Sequence, residues 1–282
     1  MKVVVGFYNV GINASEVEGW NWDAKQEAFV YDIEQAFQKH QLHALCLSEM
    51  GEINKGLTDM LWQRWPFYES VEDWMTHLLS SSALQPFRVY AASHYVTIID
   101  TVRLKVDSHA LFQIADNSER NFQHFKVQVE SDCNKISIIN CHCPSSCRRR
   151  LSNSTRKLYL QHFHTASGLD NWIWGSDFNT DATRLEKMMG KIVEKTRLSF
   201  VRSSSLFVRD KADIALTFGF HTVQEDTTVR KSYTGASDAH DLVIAIVFTI
   251  ENVEAQRGPT SSGVVLCESA ASGSGRAQAQ TS

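Results

Sequence analysis

The sequence lacks the features that mark membrane-spanning and secreted proteins. None of its apolar runs approaches the 18 residues that a membrane-spanning helix requires. Residues 1–8 resemble a strand, form too short a core for a signal peptide and lack a small-residue cleavage site. We therefore expect no transmembrane segment, no signal peptide and an intracellular location, either cytoplasmic or nuclear.

The sequence also lacks an excess of charge of one sign. Its 28 Lys and Arg residues and 32 Asp and Glu residues give a net charge of -4, so binding to nucleic acid would have to depend on a local patch. The six cysteines, several of them in strand-like runs, are expected to be reduced thiols. A hydrophobic fraction of 43% in 282 residues fits one large α/β domain or two small ones.

Apolar periodicity predicts a layered α/β domain over residues 1–252. A strand ending at Asn9, a helix over 22–39 and a buried strand over 43–47 follow one another in the order typical of such domains. From about residue 255 Gly, Ser, Ala, Gln and Thr dominate, so 253–282 is predicted to be a disordered tail. The remaining predicted helices are 54–65, 71–79, 152–168 and 182–192, and the remaining strands are 87–91, 95–99, 102–106, 122–129, 135–141, 172–174, 212–217, 221–223 and 242–250.

One stretch, residues 171–181, combines a strand-like apolar segment with polar residues that follow it. The apolar segment is expected to stop at Gly175-Ser176, and Asp177 and Asn179 follow two positions apart. Residues two apart in an extended chain point to the same face, so a carboxylate and an amide could meet one ligand. That ligand could be a hydrated divalent cation, or a water and a phosphate oxygen. An ordinary turn is the alternative, since Gly, Ser, Asp and Asn all favour turns.

Other polar residues share this position at the ends of predicted strands. Each has an ordinary explanation, such as a turn Asn, a solvated Glu or a structural His. Their recurrence favours a site, because open sheets gather ligands at strand ends. These residues are Asn9, Glu49, Asn140, His142, Asp213 and His240.

Five short motifs then occur in an order that is familiar from one superfamily. The chain resembles the endonuclease/exonuclease/phosphatase superfamily, which has the DNase I-like fold, over about residues 1–250. Each motif is weak alone, and five in order are a strong signal. The motifs are Phe7-Tyr8-Asn9-Val10-Gly11, Leu45-Cys46-Leu47-Ser48-Glu49, Ile139-Asn140-Cys141-His142-Cys143-Pro144-Ser145, Gly175-Ser176-Asp177-Phe178-Asn179-Thr180 and Ser237-Asp238-Ala239-His240-Asp241-Leu242-Val243.

The resemblance implies a fold and an activity. The implied fold is of the α/β (α+β) class, a four-layer α-β-β-α sandwich of two mixed β-sheets flanked by helices. The implied activity is hydrolysis of a phosphoester with Mg²⁺, for which Mn²⁺ could substitute. The implied metal-binding residues are Asn9, Glu49 and Asp238; Asp177 would activate the attacking water, Asn179 would hold the phosphate, His142 and His240 would donate to developing charge, and Asp213 would orient His240.

One departure from the family pattern concerns the last motif. The family usually has Asp directly before the final His, but Ala239 occupies that position here. A one-residue bulge could bring Asp238 into place. If no Asp reaches the metal, activity would be weak or absent, and the chain would be a binding module of the same fold.

The substrate stays open at this point. Arg148, Arg149 and Arg150 follow His142 by a short loop and could bind a phosphate backbone, or they could form a solvated loop. There are three hypotheses: a nuclease acting on nucleic acid, a phosphatase of small phosphoesters or lipid headgroups, and a catalytically weakened binding module. In each case we expect the protein to be a monomer. A zinc site built from Cys141, Cys143, Cys147 and His142 is a weaker fourth, since it lacks a paired Cys-x-x-Cys.

Overall fold

We describe the protein from a computed structural model. Several predictions concern residues outside those described: the predicted helix 54–65, most of the predicted helix 152–168, the predicted tail, and the site residues Glu49, Arg148–Arg150, Asn179, Asp238 and His240. At Asp213 only the backbone is described. The described residues are 2–10, 22–48, 50, 70–84, 86–113, 121–130, 134–142, 160–161, 164–165, 171–178, 182–202, 213–223 and 242–249.

The elements follow the predicted order closely. Within the described residues the helices are α1 (Trp22–His40), α2 (Val71–Ser80) and α3 (Ala182–Met189), with a short 3-10 turn over Lys195–Arg197. Residues 160–161 and 164–165, inside the predicted helix 152–168, are also helical. The strands are β1 (Lys2–Asn9), β2 (Ala44–Ser48), β3 (Phe87–Ala92), β4 (Tyr95–Asp100), β5 (Leu104–Gln113), β6 (Asn121–Val129), β7 (Lys135–His142), β8 (Trp172–Asp177), β9 (Leu198–Arg202), β10 (Asp213–Phe218), β11 (Phe220–Val223) and β12 (Val243–Thr249).

The strands form two mixed sheets of six strands each. The first sheet has the order β11-β12-β1-β2-β4-β3, and the second has the order β5-β6-β7-β8-β10-β9. In the first sheet β1 and β2 run parallel, and in the second β7 and β8 run parallel, while the other pairs are antiparallel. Parallel neighbours end at the same edge, which places the ends of β1 with β2 and of β7 with β8 together.

Strict alternation of side chains along the strands builds three hydrophobic cores. Inner residues such as Val5, Phe7 and Ile138 fill the space between the two sheets. The outer face of the first sheet packs on α1 and α2 through residues such as Trp74, and that of the second packs on α3 through Leu185. Because one face of each sheet meets the other sheet and the opposite face meets helices, the architecture is the predicted four-layer sandwich.

Four details of the sequence prediction are corrected. Strand β8 does not stop at Gly175-Ser176 but continues through Asp177, so the turn interpretation of these residues is wrong. Strand β5 runs from Leu104 to Gln113 rather than over 102–106, and α3 ends at Met189 rather than 192. Strand β9 (Leu198–Arg202) was missed because its apolar residues occupy both faces instead of alternating with polar ones: Val201 faces the inner core, and Leu198 and Phe200 face the outer core. Among the described helices, none combines the length and apolarity that a membrane crossing requires.

Candidate active site

The polar residues at the strand ends meet at one edge of the sandwich. In the second sheet His142 pairs with Asp177, and Asp177 pairs with Asp213 on its other side, so three neighbouring strands place these residues in one row. In the first sheet Asn9 pairs with Ser48, the residue directly before Glu49. The row in one sheet faces the pair in the other, because all of these positions continue the inner faces of their strands.

The inner faces change character along the strands. At one end the two sheets pack through aliphatic residues such as Val3, Val127 and Ile136. Toward the edge that carries Asp177, the same faces present polar side chains instead. The buried members of this polar region are Asn9, Ser48, Thr97, Gln123, Asn140, His142 and Asp177. Burial of so many polar groups at one edge is costly unless they are paired, so this region calls for a functional explanation.

Asp177 lies at the centre of the cluster. Its Oδ2 atom accepts a hydrogen bond from Asn9 Nδ2 at 3.4 Å, and His142 Nε2 lies 3.8 Å from the same oxygen. The first distance exceeds the about 2.9 Å that is most common for N–H···O hydrogen bonds, and the second lies beyond hydrogen-bonding range. Catalytic contacts are often long without substrate and shorten when it binds. One carboxylate, one amide and one imidazole therefore meet across the gap between the sheets.

His142 is held from its backbone and from its ring. Its backbone N–H donates to the hydroxyl oxygen of Tyr95 at 3.0 Å, so the hydroxyl satisfies an amide at the very end of β7. The ring of His94 packs edge-on against the ring of His142, with centroids 6.2 Å apart. His94 belongs to the turn between β3 and β4, where Ser93 has a positive φ of 55° and its hydroxyl lies 3.2 Å from Nδ1 of His94. These contacts limit the orientations that the His142 imidazole can adopt.

Gly175, two residues before Asp177, has no room for a side chain. A Cβ atom at this position would lie 1.8 Å from Cγ of Phe7, whose ring crosses from the first sheet. The glycine therefore lets the two sheets approach closely directly beneath Asn9 and Asp177. Next to this contact is a crevice of about 220 Å³, including its open mouth, which Asn140 and Cys46 also line.

The thiols near the site are not suited to its chemistry. Burial raises the pKa of Cys46 to about 12, so this thiol stays protonated and is a poor nucleophile and metal ligand. Cys141 packs in the outer core of the second sheet, whereas His142 continues the inner face. Adjacent strand residues point to opposite faces, so these two cannot share an ion, which argues against the zinc hypothesis. Cys143 and Cys147 lie outside the described residues.

The donors of the described cluster suit a magnesium ion. Mg²⁺ prefers oxygen ligands, uses one or two carboxylates and keeps several waters. Asp177 offers a carboxylate, and the amide carbonyl of Asn9 is a second hard oxygen donor. The part of the chain that the structure describes contains no group of three or more His, Cys, Asp or Glu side chains placed to hold a metal. Glu49, which follows β2 directly in the sequence, and Asp238 stay the predicted further ligands.

The structure thus brings three of the proposed residues together, Asn9, His142 and Asp177, and places the backbone of Asp213 beside Asp177. Sequence reasoning did not assign a role to Tyr95 or His94. No local pattern identifies them, because both reach the site only through the pairing of β4 with β2. The roles of Glu49, Asn179, Asp238, His240 and the three arginines stay predictions.

Comparison with solved structures identifies the class to which this architecture belongs. The two six-stranded sheets, with helices on both sides, have the DNase I-like fold of the endonuclease/exonuclease/phosphatase superfamily, which confirms at the level of the fold the resemblance seen in the motifs. An endonuclease/exonuclease/phosphatase from Bacteroides vulgatus has a TM-score of 0.62 at 12% identity, covering 88% of this chain and 99% of its own.

Two further similar structures have more specific names. A mannosyl-6-phosphatase of Bacteroides thetaiotaomicron VPI-5482 has a TM-score of 0.56 at 14% identity, covering 87% of this chain and 98% of its own. A D. rerio TDP2 complexed with a single-strand DNA product has a TM-score of 0.52 at 11% identity, covering 88% and 99%. Identities this low show a shared fold alone. Neither a family model nor a curated protein matches the sequence.

Proposed function

We propose that this protein is a metal-dependent phosphoesterase, and more specifically an endonuclease or exonuclease that hydrolyses nucleic-acid phosphodiesters with an activated water. The observation that carries the proposal is the cluster around Asp177. Its carboxylate lies 3.4 Å from the Asn9 amide and 3.8 Å from the His142 imidazole, although Asn9 is 168 residues away in the sequence. A buried acid, an amide and an imidazole at one sheet edge are the groups that water activation and phosphate binding require.

The chain's own residues would divide the work as follows. Asp177 would accept a proton from the attacking water, since its carboxylate is positioned by the Asn9 amide and lies 3.8 Å from the His142 imidazole. His142 would donate to a phosphate oxygen as negative charge builds up there. Asn179 would hold the phosphate. Asp213, paired in register with Asp177, would orient His240 for the opposite side of the phosphate.

The metal would be held mainly by Glu49 and Asn9, with Asp238 as the third ligand. When bound, Mg²⁺ would neutralise phosphate charge and stabilise the leaving oxygen. Asn9 would have two roles, because its Nδ2 atom donates to Asp177 and its side-chain carbonyl oxygen is an oxygen donor that could bind the metal. Mn²⁺ could replace Mg²⁺, since it also accepts oxygen ligands.

The proposal for a nucleic-acid substrate depends on the basic segment after β7. Arg148, Arg149 and Arg150 follow His142 by six to eight positions, so the segment that comes next in the sequence carries three guanidinium groups. A guanidinium group can donate two parallel hydrogen bonds to one phosphate group. Contacts of this kind position a polynucleotide without reading its sequence. The likeness to a TDP2 that holds a DNA product supports this choice.

A phosphatase is the second candidate. The net charge of -4 gives the molecule no general attraction for polyanions, and the fold is shared with a mannosyl-6-phosphatase. A phosphomonoester needs only the groups at the sheet edge and no extended basic surface. A binding module with weak or absent activity is the third candidate, because Ala239 occupies the position at which the family usually has Asp.

One substrate panel separates these candidates. Purified protein with Mg²⁺ or Mn²⁺ is incubated with single- and double-stranded DNA, RNA, a phosphorylated sugar and a phosphoinositide headgroup, with EDTA as the metal-free control. Cleavage of DNA or RNA that stops with Asp177→Ala or His240→Ala supports the nuclease. Release of phosphate only from the small esters favours the phosphatase. Absence of hydrolysis from every substrate would overturn the enzyme proposal, and activity that survives Asp177→Ala would overturn the role of that residue.

A further inference from the structure

A line of buried polar side chains crosses from one sheet to the other beneath the site. Asn140 Nδ2 on β7 donates to the carbonyl oxygen of Leu47 on β2 at 3.0 Å. The same atom lies 3.3 Å from the Thr97 hydroxyl and 3.5 Å from Oε1 of Gln123. Thr97 donates to Gln123 at 2.8 Å, and Gln123 Nε2 donates to the carbonyl oxygen of Tyr90 at 3.2 Å. We call these three side chains, Asn140, Thr97 and Gln123, the cross-sheet tie.

The hydrophobic core alone does not require this tie. One step further from the site, the same inner faces carry Ile138, Ile99 and Phe125, which pack the two sheets without polar atoms. All three side chains of the tie are buried as completely as these neighbours. Replacing buried polar pairs by apolar groups of similar shape is often neutral or stabilising, so a buried network with these bonds points to a need for a defined position rather than for stability.

The position of the tie shows what it would hold in place. Leu47 is two residues before Glu49 along the chain, and Asn140 is two residues before His142. The bond between Asn140 and Leu47 therefore joins the segment that leads to the proposed metal ligand with the segment that leads to the imidazole. It is a direct link between strand ends that belong to different sheets.

We propose that Asn140 is a positioning residue, whose amide fixes the distance between the metal-binding edge of the first sheet and the His142–Asp177 edge of the second. The proposal rests on the proposed function for its effect on catalysis. Asn140 does not reach the reacting atoms in this assignment. It acts through the backbone of Leu47, and loss of its amide would allow the two sheets to shift relative to each other at this edge.

The experiment compares two variants in the same strand. Asn140→Leu keeps the approximate volume and removes the amide of the tie. Ser137→Ala is the matched control, because Ser137 is buried on β7 and its hydroxyl lies 2.9 Å from Nε2 of His124. His124 adjoins the outer-face ring of Phe112, and Ser137 is three residues before Asn140, so this pair lies on the opposite face of the sheet from the site. Both variants lose a buried hydrogen bond, but only Asn140→Leu removes one on the face of the sheet that carries the site.

Kinetics give the first readout. Outer partners of a metal site typically contribute about 10- to 100-fold to affinity or activity. For Asn140→Leu we expect kcat to fall and the Mg²⁺ concentration for half-maximal rate to rise by about 10-fold or more, with KM for the substrate changed less. Ser137→Ala should leave kcat and the Mg²⁺ requirement within about twofold of the wild type. Equal kinetic effects in the two variants would overturn the positioning role.

Hydrogen exchange gives a readout that does not depend on activity. The Val10 amide donates to the carbonyl oxygen of Ser48 at 2.9 Å, and the His142 amide donates to Tyr95, so each reports on one of the two linked edges. Exchange at both amides should become faster in Asn140→Leu and stay unchanged in Ser137→Ala. If the wild type hydrolyses no substrate, the proposed function fails, and this exchange result alone decides on the tie. If Asn140→Leu does not fold, Asn140→Ala removes the same amide without adding bulk, and exchange that stays as slow as in the wild type at both amides of that variant would refute the proposal.

Discussion

The contact between Gly175 and Phe7 makes a quantitative prediction for Gly175→Ala. The new Cβ atom would lie 1.8 Å from Cγ, 2.0 Å from Cδ1 and 2.3 Å from Cδ2 of the Phe7 ring. Carbon atoms in contact are about 3.5–4.0 Å apart, so the ring or the strand has to move by about 1.5–2 Å inside a close-packed core. Overpacking of this kind costs about 1–3 kcal/mol, and we expect about 3 kcal/mol here because a rigid ring has to move.

Gly6→Ala is the matched control for this prediction. Gly6 is also in a buried strand, but its Cβ atom would lie 2.9 Å from Cδ1 of Leu45 and 3.0 Å from Cδ1 of Leu42, which are the ends of flexible side chains. We expect a cost of about 1 kcal/mol or less, because small rotations of the leucines relieve the contact. Urea unfolding followed by tryptophan fluorescence measures both variants. If Gly175→Ala is no more destabilising than Gly6→Ala, the claim that the two sheets approach closely at Gly175 is contradicted.

The other predictions concern single side chains. Burial lowers the pKa of His124 from 6.5 to about 4. Between these two pH values the imidazole is protonated in the unfolded chain but neutral in the folded one. The free energy of unfolding should therefore fall from pH 6.5 toward pH 4, by up to about 1.4 kcal/mol per pH unit. His124→Gln should remove this part of the pH dependence in urea unfolding between pH 7 and 5, and an unchanged slope would contradict it. Tyr95→Phe should cost about 1–3 kcal/mol, because the buried His142 amide loses its acceptor, whereas Tyr31→Phe at an exposed position should stay within about 0.5 kcal/mol. Asn9→Leu should lower kcat/KM by about 10- to 100-fold, and full activity in this variant would exclude Asn9 from the site.

The layers and most of the strands follow from local sequence patterns. The continuous apolar run in Lys2–Asn9 reflects burial on both faces of the strand, one toward the second sheet and one toward the helices. The N-terminal end of α2 is equally local, since Ser70 accepts a hydrogen bond from the Asp73 amide at 3.0 Å and caps the helix. Features of this kind depend on near neighbours in the chain, which explains why sequence analysis could predict them.

The site depends on contacts that no local pattern contains. Asn9 and Asp177 could each be recognised as a strand-end residue, but their hydrogen bond joins positions 168 residues apart in different sheets. Gly175 resembled a turn residue because glycine favours turns. In the structure it lies inside a strand, where its lack of a side chain leaves room for the ring of Phe7. Tyr95 supports His142 only because both sheets are already assembled. Tertiary packing decided each of these points.

The most direct test of the account is the rate of phosphoester hydrolysis by Asp177→Asn relative to the wild type, with saturating Mg²⁺ and the substrate that the wild type hydrolyses best. Asn has nearly the shape of Asp and can still meet Asn9 and His142, but it cannot accept a proton from water. The account predicts that kcat falls by at least about 100-fold while the melting temperature stays within a few degrees. A kcat within about threefold of the wild type would contradict the claim that the Asp177 carboxylate is the chemical centre of this site.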